Sequence, residues 1–143
     1  MILAAPLALM IALLIAPGGA AEDEIMLKPG AYAVEVDLQL PHLGNAGAKK
    51  RETICVTDQK SHGLRVLSSN NPLGKCPIMN IVEDGTRLTF DIVCSGPNAA
   101  RASAMYTLGP EAFHGRITMN MGGKNMTMTE VQEGLRDGNC AAP

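Results

Sequence analysis

The sequence predicts an all-β antiparallel fold of about seven strands, a meander that forms a curved sheet or partial barrel with at most one short helix. Apolar and polar residues alternate in short runs, which is the period-two pattern of half-buried strands. Loops rich in Gly, Pro, Ser and Asn separate these runs. Aromatic residues make up only 3% of the chain and tryptophan is absent, so aliphatic residues and methionine must fill the core.

The first strand is the clearest of the series. In AYAVEVDLQL, residues 31–40, an apolar residue stands at every even position. ETICVT, residues 52–57, is a second and shorter candidate strand. The segment TDQKSHGLRVL, residues 57–67, is the one place that could hold a short helix, with Thr57 or Asp58 as its cap.

Two turn signals place most of the remaining strands in hairpins. Asp84-Gly85 lies between two apolar runs, and this dipeptide is a strong hairpin signal in that setting. Gly109-Pro110-Glu111 is a second turn signal. The predicted strands lie within residues 76–82, 86–94, 101–108, 113–121 and 125–135.

Residues 1–20 have the composition of a secretory signal peptide. An uncharged apolar run ends at Pro17-Gly18-Gly19 and an acidic stretch follows, so cleavage is expected near Ala20 or Ala21. The run is shorter than the roughly 20 residues that a membrane-spanning helix needs, and no membrane span is expected after cleavage. Residues 21–143 are then expected to form a single exported β domain.

The sequence favours neither nucleic-acid binding nor catalysis. The formal net charge is −2, and the basic run Lys49-Lys50-Arg51 is interpreted as a solvated turn. No G-x-S-x-G or H-E-x-x-H motif occurs, and His42, His62 and His114 stand at no ligand spacing from one another. We therefore expect no enzymatic activity and no cofactor.

The four cysteines are Cys55, Cys76, Cys94 and Cys140, and all of them lie in the part expected to be exported. In an oxidising compartment an even number of cysteines indicates two disulfides, with three possible connectivities. Cys76 and Cys94 stand at equal distances from Gly85, which ranks their pairing first. Elimination then gives Cys55–Cys140.

One detail of the hairpin conflicts with that ranking. A strict two-residue turn at Asp84-Gly85 leaves Cys76 opposite Val93. A three-residue turn or a β-bulge shifts the register by one residue and brings the two cysteines together. Pro77 is a suitable place for a bulge because it cannot donate to the ladder.

The stretch ITMNMGGKNMTMTE contains four methionines around a glycine turn. A two-residue type II′ turn at Gly123-Lys124 pairs Met119 with Met128 and Met121 with Met126, all on one face. These side chains either pack inward as core, where flexible methionine fills gaps, or bind Cu(I) through their thioethers. We favour the core interpretation because the domain needs an apolar face here.

Several motifs together carry a resemblance to a known family. They are LKPGAYAVEVDLQLP, ETICVT, the cysteines 76 and 94 around a turn, GRITMNMGGKNMTMTE and the final GNC. In this order they resemble the domain-of-unknown-function family numbered 3617, a family of small exported bacterial proteins. The resemblance implies a bacterial, periplasmic protein and brings no established activity and no catalytic residues.

These observations lead to two expectations for function. The first is a non-catalytic binding or envelope-accessory module in the periplasm of a Gram-negative bacterium. Its apolar interior would receive a hydrophobic small molecule, or its surface an envelope protein. The alternative is a periplasmic Cu(I)-binding protein that uses Met119, Met121, Met126 and Met128.

Overall fold

The computed structural model describes residues 18, 26–41, 47–123 and 126–141. Their strands are β1 (Gly30–Gln39), β2 (Ala48–Val56), β3 (Ile78–Asp84), β4 (Arg87–Val93), β5 (Arg101–Leu108), β6 (Ala112–Asn120) and β7 (Thr127–Arg136). All neighbouring strands are antiparallel, and together they form one open, curved sheet with the order β2-β1-β7-β6-β5-β4-β3. The predicted all-β antiparallel class is confirmed.

The two edge strands of the sheet are consecutive in the chain but lie at opposite ends of the sheet. Strands β3 to β7 are neighbours in chain order and form a meander, whereas β1 pairs with β7 on one side and with β2 on the other. Strands β2 and β3 are therefore the two edges. Residues 57–77, which connect these edges, are called the covering segment below.

One face of the sheet, the inner face, carries the core. In β1 the side chains of Tyr32, Val34 and Val36 are buried, while Ala33 and Glu35 are exposed on the outer face. Strands β5 and β6 alternate in the same way along their full lengths. The period-two pattern of the sequence therefore corresponds to the two faces of the sheet.

The four aromatic rings form one continuous cluster in the core. The ring centroids of Tyr32 and Phe113 are 5.7 Å apart, and Tyr106 lies 5.8 Å from both Phe113 and Phe90. Gly115 leaves the space that Tyr106 fills, because a Cβ atom at Gly115 would collide with the Tyr106 ring. A low aromatic content is sufficient here because the few rings contact one another and pack on backbone.

The covering segment lies across the inner face and completes the core. It contains two short 3-10 turns, Lys60–Gly63 and Pro72–Lys75. Hydrogen bonds join its backbone to side chains on the inner face of β7. Its buried apolar residues are Leu64, Val66, Leu67 and Leu73.

The start of this segment, the one place that could hold a short helix, contains only a 3-10 turn. Ser61 and His62 have φ values of 58° and 56°, and Gly63 has a φ of 78°. Three successive residues in the left-handed region cannot continue a right-handed helix. Thr57 and Asp58 therefore cap no α-helix, and residues 57–67 contain one 3-10 turn.

The β3–β4 turn lies one residue later than predicted. Asp84 pairs with Arg87, so the central residues are Gly85 and Thr86. Gly85 has a φ of 59° and Thr86 has no positive φ, which suits a type II′ turn with glycine at its first central position. The position of this glycine, rather than the Asp-Gly pair, sets the register.

A bulge then corrects the register along the same hairpin. The pairing shifts between Met79 and Val82, where Asn80 has a φ of 54°. Ile78 pairs with Ile92 beyond the shift, and this register leads to the cysteines. The irregularity expected near Pro77 is thus present, although it lies closer to the turn.

The structure contains the two disulfides that the sequence ranked first. The Cα atoms of Cys76 and Cys94 are 5.0 Å apart, and those of Cys55 and Cys140 are 5.5 Å apart. The second bridge joins the C-terminal tail to strand β2. Its two cysteines are 85 residues apart in the chain, and a disulfide that closes so long a loop strongly restricts the conformations of the unfolded chain.

The expected signal peptide, its cleavage site and His42 lie outside the described residues, except for Gly18. Within the parts of the chain that the structure describes, no helix has the length and apolar character needed to cross a membrane.

Candidate functional site

The methionine hairpin consists of β6, β7 and the loop between them, with Met119 and Met128 in the strands and Met121 and Met126 at the two ends of that loop. Met119 pairs with Met128 in the sheet, and the backbone N–H of Met121 donates to the carbonyl of Met126 at 2.8 Å. Gly122 has a φ of 84°, whereas Gly123, predicted as the first central residue of a type II′ turn, has no positive φ. A Cβ atom at Gly122 would collide with the Asn98 backbone, which explains why glycine is needed at this position. Residues 124 and 125 lie outside the described residues.

The four methionines differ in their surroundings. Met119 is 0% exposed, and its Sδ accepts a hydrogen bond from Asn71 Nδ2 at 3.2 Å. Met121 and Met128 are half-buried and pack against the core. Met126 is 41% exposed. Only Met121, Met126 and Met128 therefore lie near the solvent-exposed end of the hairpin.

A polar network lies inside the core, beside this hairpin. The carboxylate of Glu130, which is 0% exposed, accepts from Leu67 N at 2.7 Å, Ser68 N at 3.0 Å and Gln132 Nε2 at 2.6 Å. Gln132 Nε2 also donates to the carbonyl of Arg65 at 2.8 Å. These bonds fasten the covering segment to β7.

Tyr106 completes the network from strand β5. Its hydroxyl donates to Gln132 Oε1 at 2.8 Å. Burial raises the pKa of Tyr106 well above its ordinary value, and the nearby charge of Glu130 adds to this effect. Every polar group of the network thus has a partner within the chain, which is the condition for keeping such groups in a core.

The sequence interpretation missed this network, although a signal for it was present. Met128 faces inward, and the period of two along β7 places Glu130 and Gln132 on the same face. A polar residue at a core-facing position indicates a buried network or a site.

His62 belongs to the covering segment and is also buried. Its Nδ1 lies 3.2 Å from the carbonyl of Thr57, and its Nε2 lies 3.0 Å from Glu83 Oε1. Both ring nitrogens of His62 therefore lie within hydrogen-bond distance of an acceptor oxygen of the chain. His114 lies apart from it, on the outer face of β6. The described residues contain no group of three or more His, Cys, Asp or Glu residues arranged to hold a metal ion.

The outer face carries a groove that crosses five neighbouring strands, from β2 to β5. Its cavity volume is about 680 Å³, and its lining is mostly apolar. Leu135 stands in it with 67% of its surface exposed. The outward-facing apolar residues of this outer groove are Ala33, Ala112 and Leu135, and the other apolar residues at its wall, Val34, Leu108, Phe113 and Gly134, are buried.

A row of charged side chains borders the apolar lining. Glu35 and Glu133 are direct partners across β1 and β7 and are called the carboxylate pair below. Arg51 forms an ion pair with Glu35, and His114 Nδ1 lies 3.5 Å from Glu133 Oε1. Each carboxylate therefore has its basic neighbour on the side away from the other carboxylate.

The sequence model of one family, described as "Protein of unknown function (DUF3617)", matches residues 27–140. The chain belongs to this family. The resemblance identified from the sequence motifs is thereby confirmed. No curated protein matches the chain, and no solved structure matches it. Because the family description names no activity, the function must be argued from the site itself.

Proposed function

We propose that this protein is a non-catalytic binding module, exported to the periplasm of a Gram-negative bacterium, and that the outer groove is its ligand site. The observation that carries the proposal is the groove itself. Its volume of about 680 Å³ falls within the range of roughly 300–1,000 Å³ that is usual for small-molecule sites. Its mostly apolar lining with a few charged groups at the border also fits such sites.

The outer groove replaces the interior site expected from the sequence. The covering segment lies over the inner face, and the inward side chains of the core, such as Tyr106 and Ile117, are 0% exposed. The rings and the polar network occupy the space that an interior ligand would need. A hydrophobic ligand is therefore assigned to the opposite face of the sheet.

Three features support export and the absence of catalysis. The signal-like N-terminus favours secretion, and two disulfides suit an oxidising compartment. The ring nitrogens of His62, the buried histidine, are both engaged by acceptors, which leaves neither nitrogen to activate a nucleophile.

The groove can be tested with 1-octanol, a small neutral amphiphile. We expect titration of the ¹⁵N-labelled, oxidised protein to shift the backbone signals of the groove, including those of Ala33 and Leu135. Leu135→Glu places a charge in the groove at an exposed position and should abolish the shifts. Met105→Glu is the matched control, because Met105 is 52% exposed on the outer face and does not line the groove. Shifts confined to the covering segment, or an unchanged response in Leu135→Glu, would refute the groove.

A second candidate function is Cu(I) binding at the methionine hairpin. It is favoured by the position of Met121, Met126 and Met128 at the exposed end, where thioethers could act as soft ligands. We leave Met119 out of the proposed set because its side chain is buried and its Sδ accepts a hydrogen bond from Asn71.

Anaerobic Cu(I) titration against a competing chelator tests this candidate. Binding through the three exposed sulfurs should be lost in the variant Met121→Leu/Met126→Leu/Met128→Leu and retained in Met119→Leu. If the wild-type protein shows no binding, the methionines serve the core alone.

A further inference from the structure

We infer that the ligand of the outer groove carries a cationic head group on an apolar body, such as a primary ammonium or guanidinium group on an alkyl chain. This inference rests on the proposed function of the groove and adds the charge of its ligand. The carboxylate pair carries the argument, because its two acidic side chains stand directly opposite one another at the border of an apolar cavity.

The register of the sheet brings the two carboxylates together. Directly paired residues on one face of an antiparallel sheet have Cβ atoms about 5 Å apart, and like charges in such a pair destabilise it. The side chains of Glu35 and Glu133 are 62% and 66% exposed, so they are accessible to a ligand. A cation between them would offset the repulsion, which gives a binding free energy that a neutral ligand does not gain.

The neighbouring basic groups leave this preference in place. Arg51 contacts Glu35 through Nη2 and Nε, the latter at 3.1 Å, from the far side of β1. His114 contacts Glu133 from the far side of β7. Two carboxylates and one guanidinium meet in this row, so the row favours a cation over an anion.

The apolar part of the ligand has a defined place beside the charges. Ala33 and Leu135 are partners in the row next to the carboxylate pair, and Ala112 follows Leu135 on β6. An alkyl chain in the groove would lie over this apolar row while its head group reached Glu35 and Glu133. Because the groove crosses the strands, the ligand would contact side chains and would form no backbone hydrogen bonds with the sheet.

Three linear probes, each with eight carbon atoms, test the inference: octylammonium, 1-octanol and octanoate. At low ionic strength we expect octylammonium to bind roughly twofold to twentyfold tighter than 1-octanol, since each exposed ion pair contributes modestly. Octanoate should bind most weakly. High salt should reduce the preference for the ammonium probe and leave the binding of 1-octanol unchanged or slightly stronger.

Charge variants identify the groups responsible. In Glu35→Gln/Glu133→Gln the affinity for octylammonium should fall to that for 1-octanol, while Asp84→Asn, which removes a charge at the distant β3 edge, should retain the preference. Equal affinities for octylammonium and 1-octanol in the wild-type protein, or tightest binding of octanoate, would overturn the inference and leave the groove as a neutral or anion-preferring site. Failure of all three probes to bind would refute the proposed function itself.

Discussion

Glu130 and Glu133 lie on the same strand, β7, but on opposite faces of the sheet. Glu130 is 0% exposed and accepts three hydrogen bonds from within the chain. Glu133 is mostly exposed, lies opposite Glu35 and has His114 as its basic neighbour. The same residue type therefore has a structural role on the inner face, and we assign it a role in recognition on the outer face. The difference follows from the parity of its position in the strand.

The inner carboxylate shows how a buried acidic side chain can be satisfied by donors of the chain itself. Two backbone N–H groups and one amide N–H of the chain replace the water that Glu130 loses on folding. Glu130 is buried, so water cannot take the place of the N–H groups that bind it, and these bonds hold the covering segment. The carboxylate pair on the outer face is exposed to solvent.

The largest expected effect comes from removing the inner carboxylate. Glu130→Ala leaves the buried N–H groups of Leu67 and Ser68 without their acceptor, which should lower the free energy of unfolding by about 3–5 kcal/mol. Urea unfolding measures this loss. The amides of Leu67 and Ser68 should also exchange with solvent much faster than in the wild-type protein.

The matched control is Glu133→Ala on the outer face. An exposed substitution away from a packed contact should change the stability by no more than about 0.5 kcal/mol. Equal effects of Glu130→Ala and Glu133→Ala would show that the covering segment is not held by the inner carboxylate.

The apolar end of the inner face gives the next effect. Met119→Ala removes a fully buried side chain and should destabilise the protein by about 2–4 kcal/mol, through lost burial and a cavity. Met126→Ala removes a side chain that is 41% exposed and should cost well under about 1 kcal/mol. Paired denaturant curves would separate these two positions, and similar losses at both would contradict their different burial.

Alkaline pH should weaken the inner face through Tyr106. Its pKa is raised in the folded protein, so the folded state holds the phenolic proton more tightly than the unfolded state does. The resulting stability is fully present below the ordinary tyrosine pKa of about 10 and is lost as the pH rises above it. Tyr106→Phe should lower the stability at pH 7 by about 1–2 kcal/mol and flatten the decline between pH 10 and 11. An equally steep decline in Tyr106→Phe would assign the effect to other groups.

The pattern of the sequence was sufficient for the class of the fold, the number of strands and the disulfides. It was wrong for Lys49-Lys50-Arg51, which was interpreted as a turn and belongs to strand β2. Local information failed where tertiary contacts decide the backbone. Ser61 and His62 adopt left-handed conformations in a segment whose residues are compatible with a helix, and His62 there is held by Glu83 from strand β3. Propensity has no access to such a partner, because the two residues meet only when the sheet is complete.

The groove and its charges depend even more on assembly. Ala33 and Leu135, and likewise Glu35 and Glu133, are about a hundred positions apart in the chain, and they become neighbours because β1 pairs with β7. Alternation predicts that Glu35 faces outward, but it says nothing of which strand lies beside it. The inward position of Glu130 could have been predicted from Met126 and Met128, because the three residues stand at alternate positions and therefore on the same face of the strand.

The smallest effect is expected at the carboxylate pair, and its sign is informative. Glu133→Gln removes the repulsion with Glu35 and should stabilise the protein by about 0.2–0.5 kcal/mol at low ionic strength. The lost contact with His114 spans 3.5 Å at an exposed site, so it should offset only part of this gain. The stabilisation should disappear in high salt, where exposed charges are screened. Urea unfolding of Glu133→Gln at both ionic strengths checks this, with Glu111→Gln as an exposed control outside the pair. A loss of stability that persists in high salt would show that Glu133 supports the fold, and it would remove the contrast with Glu130 from which the role in recognition was argued.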